Sequence, residues 1–131
     1  VSMAKDLMNA HPNLAGLIGP CTTAAPGIAQ AVDEAGKIGS VQTVGVGTPQ
    51  AMLPYLENGA AFSSVLWNVE DHGYLTGWAG YMAASGEPFP DSGEPFDVGH
   101  LSGVTWDPQT KVLLLGVPLI LTKDNAGDYD Y

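Results

Sequence analysis

Short apolar runs alternate along the chain with stretches whose apolar residues recur every three or four positions. The first kind predicts buried strands and the second amphipathic helices. Ser2 to Ala10 reads as a helix with Ala4, Leu7 and Met8 on one face, ended by His11-Pro12. Leu14 to Ile18 reads as a strand. Gly19 and Pro20 stop it, because proline has no amide hydrogen to give a sheet ladder. Thr22 or Thr23 can cap the next helix, and Pro26 suits its first turn. Gly27 to Ala35 puts Ile28, Ala29, Val32 and Ala35 on one side. Gly36 then supplies a left-handed stop, and Lys37 suits the negative end of the helix dipole.

The alternation repeats twice more. Val41 to Val46 is a second strand, and Thr48-Pro49 is a helix start with Thr as cap and Pro at the first helical position. Met52, Leu53 and Leu56 form that helix's apolar face, and Gly59 ends it. Ala61 to Trp67 is a third strand. Asn68 caps the following helix, with Glu70 and Asp71 in its first turn, and Tyr74, Leu75, Trp78, Met82 and Ala83 carry it to Gly86. The strands start at residues 14, 41 and 61, spacings that fit right-handed crossovers and a parallel sheet. The fold class is α/β. Three strand-end loops, at Pro20 to Thr23, Gly47 to Pro49 and Trp67 to Asn68, should share one edge of the sheet, where open α/β sheets bind small ligands.

Beyond Gly86 the pattern changes. Glu87 to Phe96 is rich in proline and repeats Gly-Glu-Pro-Phe, at 86 to 89 and 93 to 96, which reads as an extended connection. Val98 to Trp106 and Lys111 to Leu115 flank the turn Asp107-Pro108-Gln109-Thr110 and predict a β-hairpin. Pro118 to Leu121 is a short final strand, and Lys123 to Tyr131 an acidic, polar tail.

A length of 131 residues is enough for one domain. The chain opens at Val1 inside a helix-like stretch without a signal peptide, so we expect a piece of a longer protein whose targeting information lies elsewhere. The net charge is −10, with four lysines and no arginine. That excludes nucleic acid as a partner and disfavours an anion held by side chains, although a helix amino terminus could still hold one. A lone Cys21 gives neither an intrachain disulfide nor a zinc cluster.

Candidate chemistry is sparse. Gly45-Val46-Gly47-Thr48-Pro49-Gln50 half matches the dinucleotide fingerprint, but Gln50 stands at the third glycine and Pro49 removes an amide. His11, His72 and His100 share no ligand spacing and read as surface histidines, so no metal and no cofactor is expected. Asp71-His72 are helix neighbours that point different ways. Cys21 beside a helix start could be an activated thiolate, but no nucleophile motif surrounds it, and a small loop residue is the simpler reading. Trp67 is either a core tryptophan or an apolar wall under a ligand; its place at a strand end favours the wall.

Several stretches together resemble a type I periplasmic sugar-binding protein, in the autoinducer-2-binding and rhamnose-binding branch of ABC-transporter solute receptors. They are Gly19-Pro20-Cys21-Thr22-Thr23-Ala24-Ala25-Pro26 into Ala29 to Val32, and Val44 to Pro49 with Met52, Pro54 and Tyr55. Val65-Leu66-Trp67-Asn68, Gly73-Tyr74-Leu75, Leu113 to Gly116, Thr122 to Asn125 and Asp128 to Tyr131 complete the set. The resemblance implies two α/β lobes with a ligand between them. This chain would be the C-terminal part: an incomplete three-layer, parallel-sheet lobe with a C-terminal β-hairpin. Residues 1–67 would be the second lobe, truncated at its start. Residues 68–96 would be a crossover helix and linker of the first lobe, and 97–131 a hairpin, strand and tail near the hinge.

On the same resemblance, Pro20, Cys21, Thr22, Gly47, Trp67 and Asn68 would meet a small neutral sugar-like ligand. Thr22 replaces an alanine common in the autoinducer branch. Gly47 stands where many sugar-binding relatives carry Asp, and the main carboxylate ligands of the family lie upstream of this chain. The implied role is delivery to an ABC permease in the periplasm or another extracytoplasmic space, without catalysis. The alternative is the effector-binding domain of a sugar-responsive repressor; a doubly wound enzyme fits least, for want of a nucleophile and base. With a lobe absent, the sheet should keep an unpaired edge and the Tyr74/Trp78/Met82 face should lack a partner. A homodimer or element-exchanged dimer is therefore expected.

Overall fold

The computed structural model describes all residues 1–131. They divide into two compact units, Val1–Leu66 with Leu119–Tyr131, and Trp67–Pro118.

The first unit holds helices α1 (Ser2–Ala10), α2 (Ala24–Glu34) and α3 (Pro49–Glu57) and strands β1 (Gly16–Gly19), β2 (Gln42–Val46), β3 (Ser63–Leu66) and β7 (Leu119–Leu121). The strands form one sheet in the order β1-β2-β3-β7. β1, β2 and β3 run parallel, with Gly19 beside Gly45 and Val46 beside Val65. Val65 also lies beside Ile120 of β7, which runs antiparallel. The sheet is therefore mixed at one edge, which the apolar run at 118 to 121 could not reveal. β1 is the other edge and has no neighbour on its outer side.

Right-handed crossovers between strands laid down in one direction put α2 and α3 on the same face. Leu66 and Leu121 project from that face and pack with Ala25, Ala29, Met52 and Leu56 of the helices. Farther along, Met8 of α1, Val32 of α2 and Val41 form a second cluster. The opposite face carries Ile18, Val65 and Ile120, which stay 76%, 36% and 56% exposed. Of the three layers expected, the sheet and one helix layer are present.

Glycines let the helices come close. A Cβ on Gly19 would stand 2.5 Å from the Ala25 backbone, and one on Gly45 would strike the Gly19 carbonyl and the Ala25 methyl. The buried hydroxyls of Ser64 and Thr43 are paired: Ser64 Oγ donates to the carbonyls of Gly45 and Gly47, each at 3.1 Å, and Thr43 Oγ1 donates to that of Ala60 at 2.8 Å.

Several boundaries differ from expectation. α2 starts at Ala24, three residues early, because Pro26 occupies a first-turn position whose amide has no helical acceptor. Thr23 and Thr48 sit at N-caps but make no side-chain cap bond; the Thr23 hydroxyl meets Cys21 Sγ instead. β3 is shorter than 61–67 at both ends. The acidic tail is ordered. Thr122 N–H donates to Asn125 Oδ1 at 2.7 Å, a 3-10 turn follows at Ala126–Asp128 with Ala126 buried, and Gln50 Nε2 donates to the Asp130 carbonyl at 2.7 Å.

The second unit holds α4 (Val69–Ser85) and an antiparallel sheet of β4 (Phe96–Val98), β5 (Leu101–Asp107) and β6 (Val112–Leu114). Asn68 caps α4 as expected, its Oδ1 accepting from Glu70 and Asp71 N–H at 3.0 and 3.3 Å. The strand expected over Val98 to Trp106 is broken by a turn at Gly99-His100, where Gly99 takes φ +59°, and the hairpin becomes three strands. Both Phe89 and Phe96 of the Gly-Glu-Pro-Phe repeat pack on Trp78, with ring centroids 5.8 and 6.0 Å away. The connection is thus pinned to α4. Asp107 closes the β5–β6 turn, its carboxylate accepting from the Thr110 hydroxyl and from the Gln109 and Thr110 amides.

The Thr110 hydroxyl, and after it the Gln109 and Thr110 amides, holds the Asp107 carboxyl below its usual value. A depressed carboxylate stabilises above its unfolded pKa and loses that contribution as pH falls through the folded value. Hydrogen-exchange protection of β5 and β6 should therefore decline below about pH 4 and should lose that step in Asp107→Asn. Gly45→Ala should lower the urea midpoint of the first unit by the equivalent of about 1–3 kcal/mol, since the Gly19 carbonyl and the Ala25 methyl cannot yield without moving β1 or α2.

Candidate functional site

Parallel register brings the carboxyl ends of β1, β2 and β3 to one edge of the first unit's sheet. There β1 gives way to the loop Pro20, Cys21 and Thr22, all three exposed. The Cys21 carbonyl accepts from Ala24 and Ala25 N–H at 3.0 and 3.1 Å, which folds the loop back onto the start of α2. Cys21 Sγ lies 3.5 Å from Thr23 Oγ1. That hydroxyl, then the Ala24 and Thr23 amides, lowers the thiol pKa.

Gly47 follows β2 at the same edge but is buried. A Cβ there would meet Met52 Cγ at 2.5 Å, and the Gly47 carbonyl already accepts from Ser64 Oγ. What Gly47 has left to offer a ligand is confined to its backbone.

β3 ends at Leu66, and Trp67 and Asn68 open the second unit. Trp67 is 46% exposed, so it is not a core tryptophan. Its indole meets the His72 ring edge-on at 6.2 Å. Asp71, read from sequence as a helix-start carboxylate beside His72, accepts a hydrogen bond from His100 Nε2 at 2.9 Å. His100 also lies against the Tyr74 ring, with centroids 4.6 Å apart. Sequence reasoning missed this cluster, because its members lie 29 residues apart with no repeated spacing.

A cavity of about 350 Å³ opens at the other edge of the first unit's sheet, lined by Gln42, Leu56, Ala61, Phe62 and Lys123 among others. It lies where strands begin, away from the Pro20 loop. No set of three His, Cys, Asp or Glu side chains is gathered that could hold a metal ion. No helix is long and apolar enough to cross a membrane.

The sequence profile of the periplasmic binding protein domain matches residues 1–88. The chain belongs to this family. Among solved structures, the periplasmic binding protein chain is similar to a sugar ABC transporter protein from Actinomyces odontolyticus. The two are 28% identical with a TM-score of 0.83, over 99% of this chain and 41% of the other. It is similar to LsrB from Clostridium saccharobutylicum, solved in complex with AI-2, at 26% identity and TM-score 0.79, over 99% of this chain and 44% of that one. An ABC transporter solute-binding protein from Clostridium phytofermentas with bound L-rhamnose shares the fold at 22% identity and TM-score 0.76, over 97% and 43% of the two chains. This periplasmic binding protein chain thus spans about two fifths of the length of these relatives.

At pH 7 to 7.5 Cys21 should react with iodoacetamide faster than a free cysteine, since the thiolate is the nucleophile and its share rises as the pKa falls. Thr23→Val should slow that rate, because the hydroxyl that does most to lower the thiol pKa is removed.

Proposed function

We propose that this chain is part of an extracytoplasmic solute-binding protein that holds a small neutral sugar or AI-2-like molecule between two lobes and delivers it to an ABC permease. The observation that carries the reading is the shared edge where β1, β2 and β3 end, on a chain similar over nearly all its length to sugar-transport proteins. Pro20 and Thr22 offer carbonyls, Cys21 a thiol and Thr22 a hydroxyl at that edge, the Cys21 carbonyl being taken by the start of α2. Gly47 keeps its backbone close, Trp67 is an apolar wall with an indole N–H, and Asn68 has its amide nitrogen for a ligand oxygen. Binding closes the lobes about their hinge without covalent chemistry. The relatives described above serve ABC transport, which favours the receptor over a repressor's effector domain.

For the 131-residue chain alone we propose self-association. The outer side of β1 is unpaired, and the face carrying Ile18, Val65 and Ile120 is apolar and free of charged side chains in the paired positions. A second copy placed on that face removes this surface from water.

A complete receptor containing these residues should show a thermal shift with AI-2, L-rhamnose or a pentose. Trp67→Ala should then weaken binding of the responding ligand about ten-fold or more, on the scale of losing a buried aromatic contact. An unchanged Kd would remove Trp67 from the site, and no shift with any of these ligands would overturn the neutral-sugar reading. Light scattering of the chain over a concentration series should report a dimer that Ile18→Asp converts to monomer; a monomer at millimolar concentration would overturn self-association.

A further inference from the structure

The first turns of α4 have little to hold them. From Val69 to Tyr74 no residue is buried, and Leu75 is the only buried side chain in the whole helix. Helix ends without apolar anchorage fray. Trp67 and Asn68 sit immediately before this weakly anchored turn, so their placement depends on whatever ties it down.

Two kinds of tether are present. Asn68 Oδ1 caps the Glu70 and Asp71 amides from within. The second tether comes from across the unit. Asp71 and Tyr74 are three residues apart and so share a helix face. Both reach the turn between β4 and β5: His100 Nε2 donates to Asp71 Oδ1 at 2.9 Å, and the Tyr74 ring lies against the His100 imidazole at 4.6 Å. Gly99 leaves the space that the Tyr74 hydroxyl fills, so a Cβ there would collide with it. The two side chains form a clasp around one imidazole. From Asp71 the linkage runs by one bond to the Asn68 cap, and through the next residue, His72, to the edge of Trp67.

We propose that His100 is a positioning residue for Trp67 and Asn68: it holds the first turn of α4 in place through Asp71 and Tyr74, and so fixes the wall and amide offered to the ligand. The inference rests on the reading of Trp67 and Asn68 as ligand contacts, but its first test needs no ligand. His100 touches no proposed ligand contact directly. Its effect passes through a carboxylate that is 31% exposed, so the coupling is modest.

The test uses the protein labelled with 5-fluorotryptophan, whose three indoles give separate fluorine signals, that of Trp67 assigned by Trp67→Phe. His100→Ala and Asp71→Ala should each shift and broaden the Trp67 signal. The double variant should do no more than either single, as expected of partners in one interaction. His100→Gln keeps a donor near the Nε2 position, and Asp71→Asn keeps the acceptor; both should restore the parent signal. The Trp106 signal, on the hairpin side of the same unit, reports whether the fold survives. A Trp67 signal unmoved by His100→Ala, with that of Trp106 intact, would overturn the proposal, as would failure of both conservative variants to restore it. In the complete receptor, His100→Ala should raise the Kd for AI-2 or L-rhamnose about two- to five-fold, and His100→Gln should return it. A moved Trp67 signal with no binding of either compound by the parent receptor would support the positioning and count against the ligand reading alone.

Discussion

The arrangement depends on how closely α2 and α3 approach the carboxyl ends of β1 and β2. Three glycines allow it. Gly19 and Gly45 leave room for the Ala25 backbone and methyl, and Gly47 leaves room for Met52. The adjoining positions are buried alanines, Ala25 and Ala29, and Met52 is fully buried. At this seam helix and strand meet almost backbone to backbone, and Ser64 fastens the end of β2 by donating to the carbonyls of Gly45 and Gly47. The Pro20 loop inherits its position from that seam, because the Cys21 carbonyl accepts the first two amides of α2. Packing thus fixes where the candidate loop sits, before any ligand is considered.

The sheet's second face has a different history in the sequence. Strands covered on both faces read as continuous apolar runs, whereas strands with one wet face alternate. Ile18, Val65 and Ile120 stay exposed on the face that no helix of the first unit covers. The residues are those of a two-sided interior. The relatives are more than twice as long as this chain, so further polypeptide accompanies the matching part in each of them. The apolar second face and the unpaired edge of β1 are what prompt the proposal that two copies associate.

Legibility followed the range of the interactions. Strand, loop and helix alternation was readable because it depends on neighbours three or four residues apart. So were Pro49 at a first helical position and Asn68 as a cap that uses its side chain. Thr23 and Thr48 occupy cap positions without making the bond, which residue type alone cannot decide. The break at Gly99-His100 was missed because the residues around it favour strand; the turn is set by Gly99 at positive φ and by Tyr74 and Asp71 on a distant helix. The tail read only as acidic and polar because its order comes from Thr122, Asn125 and Gln50 bonding to backbone, not from apolar periodicity. The resemblance to sugar receptors named the family, while the candidate site residues were legible only as positions after strands. Of these, Gly47 is occupied with packing, and Pro20, Cys21, Thr22 and Trp67 are exposed.

The chemistry at the strand ends is what supports the proposal of a neutral ligand. With no arginine and four lysines in the chain, an anion would have to be held by backbone amides at a helix start. At α2 those amides are already committed, since Ala24 and Ala25 N–H donate to the Cys21 carbonyl. At α4 the Glu70 and Asp71 amides donate to Asn68 Oδ1, and two carboxylates stand in the first turn, where they complement the dipole and repel an incoming negative charge. On the first unit a thiol, a threonine hydroxyl and loop backbone remain, and on the second a tryptophan face. In the proposed reading these groups meet hydroxyls and a patch of C–H bonds, the chemistry of a small uncharged sugar, rather than a phosphate or carboxylate.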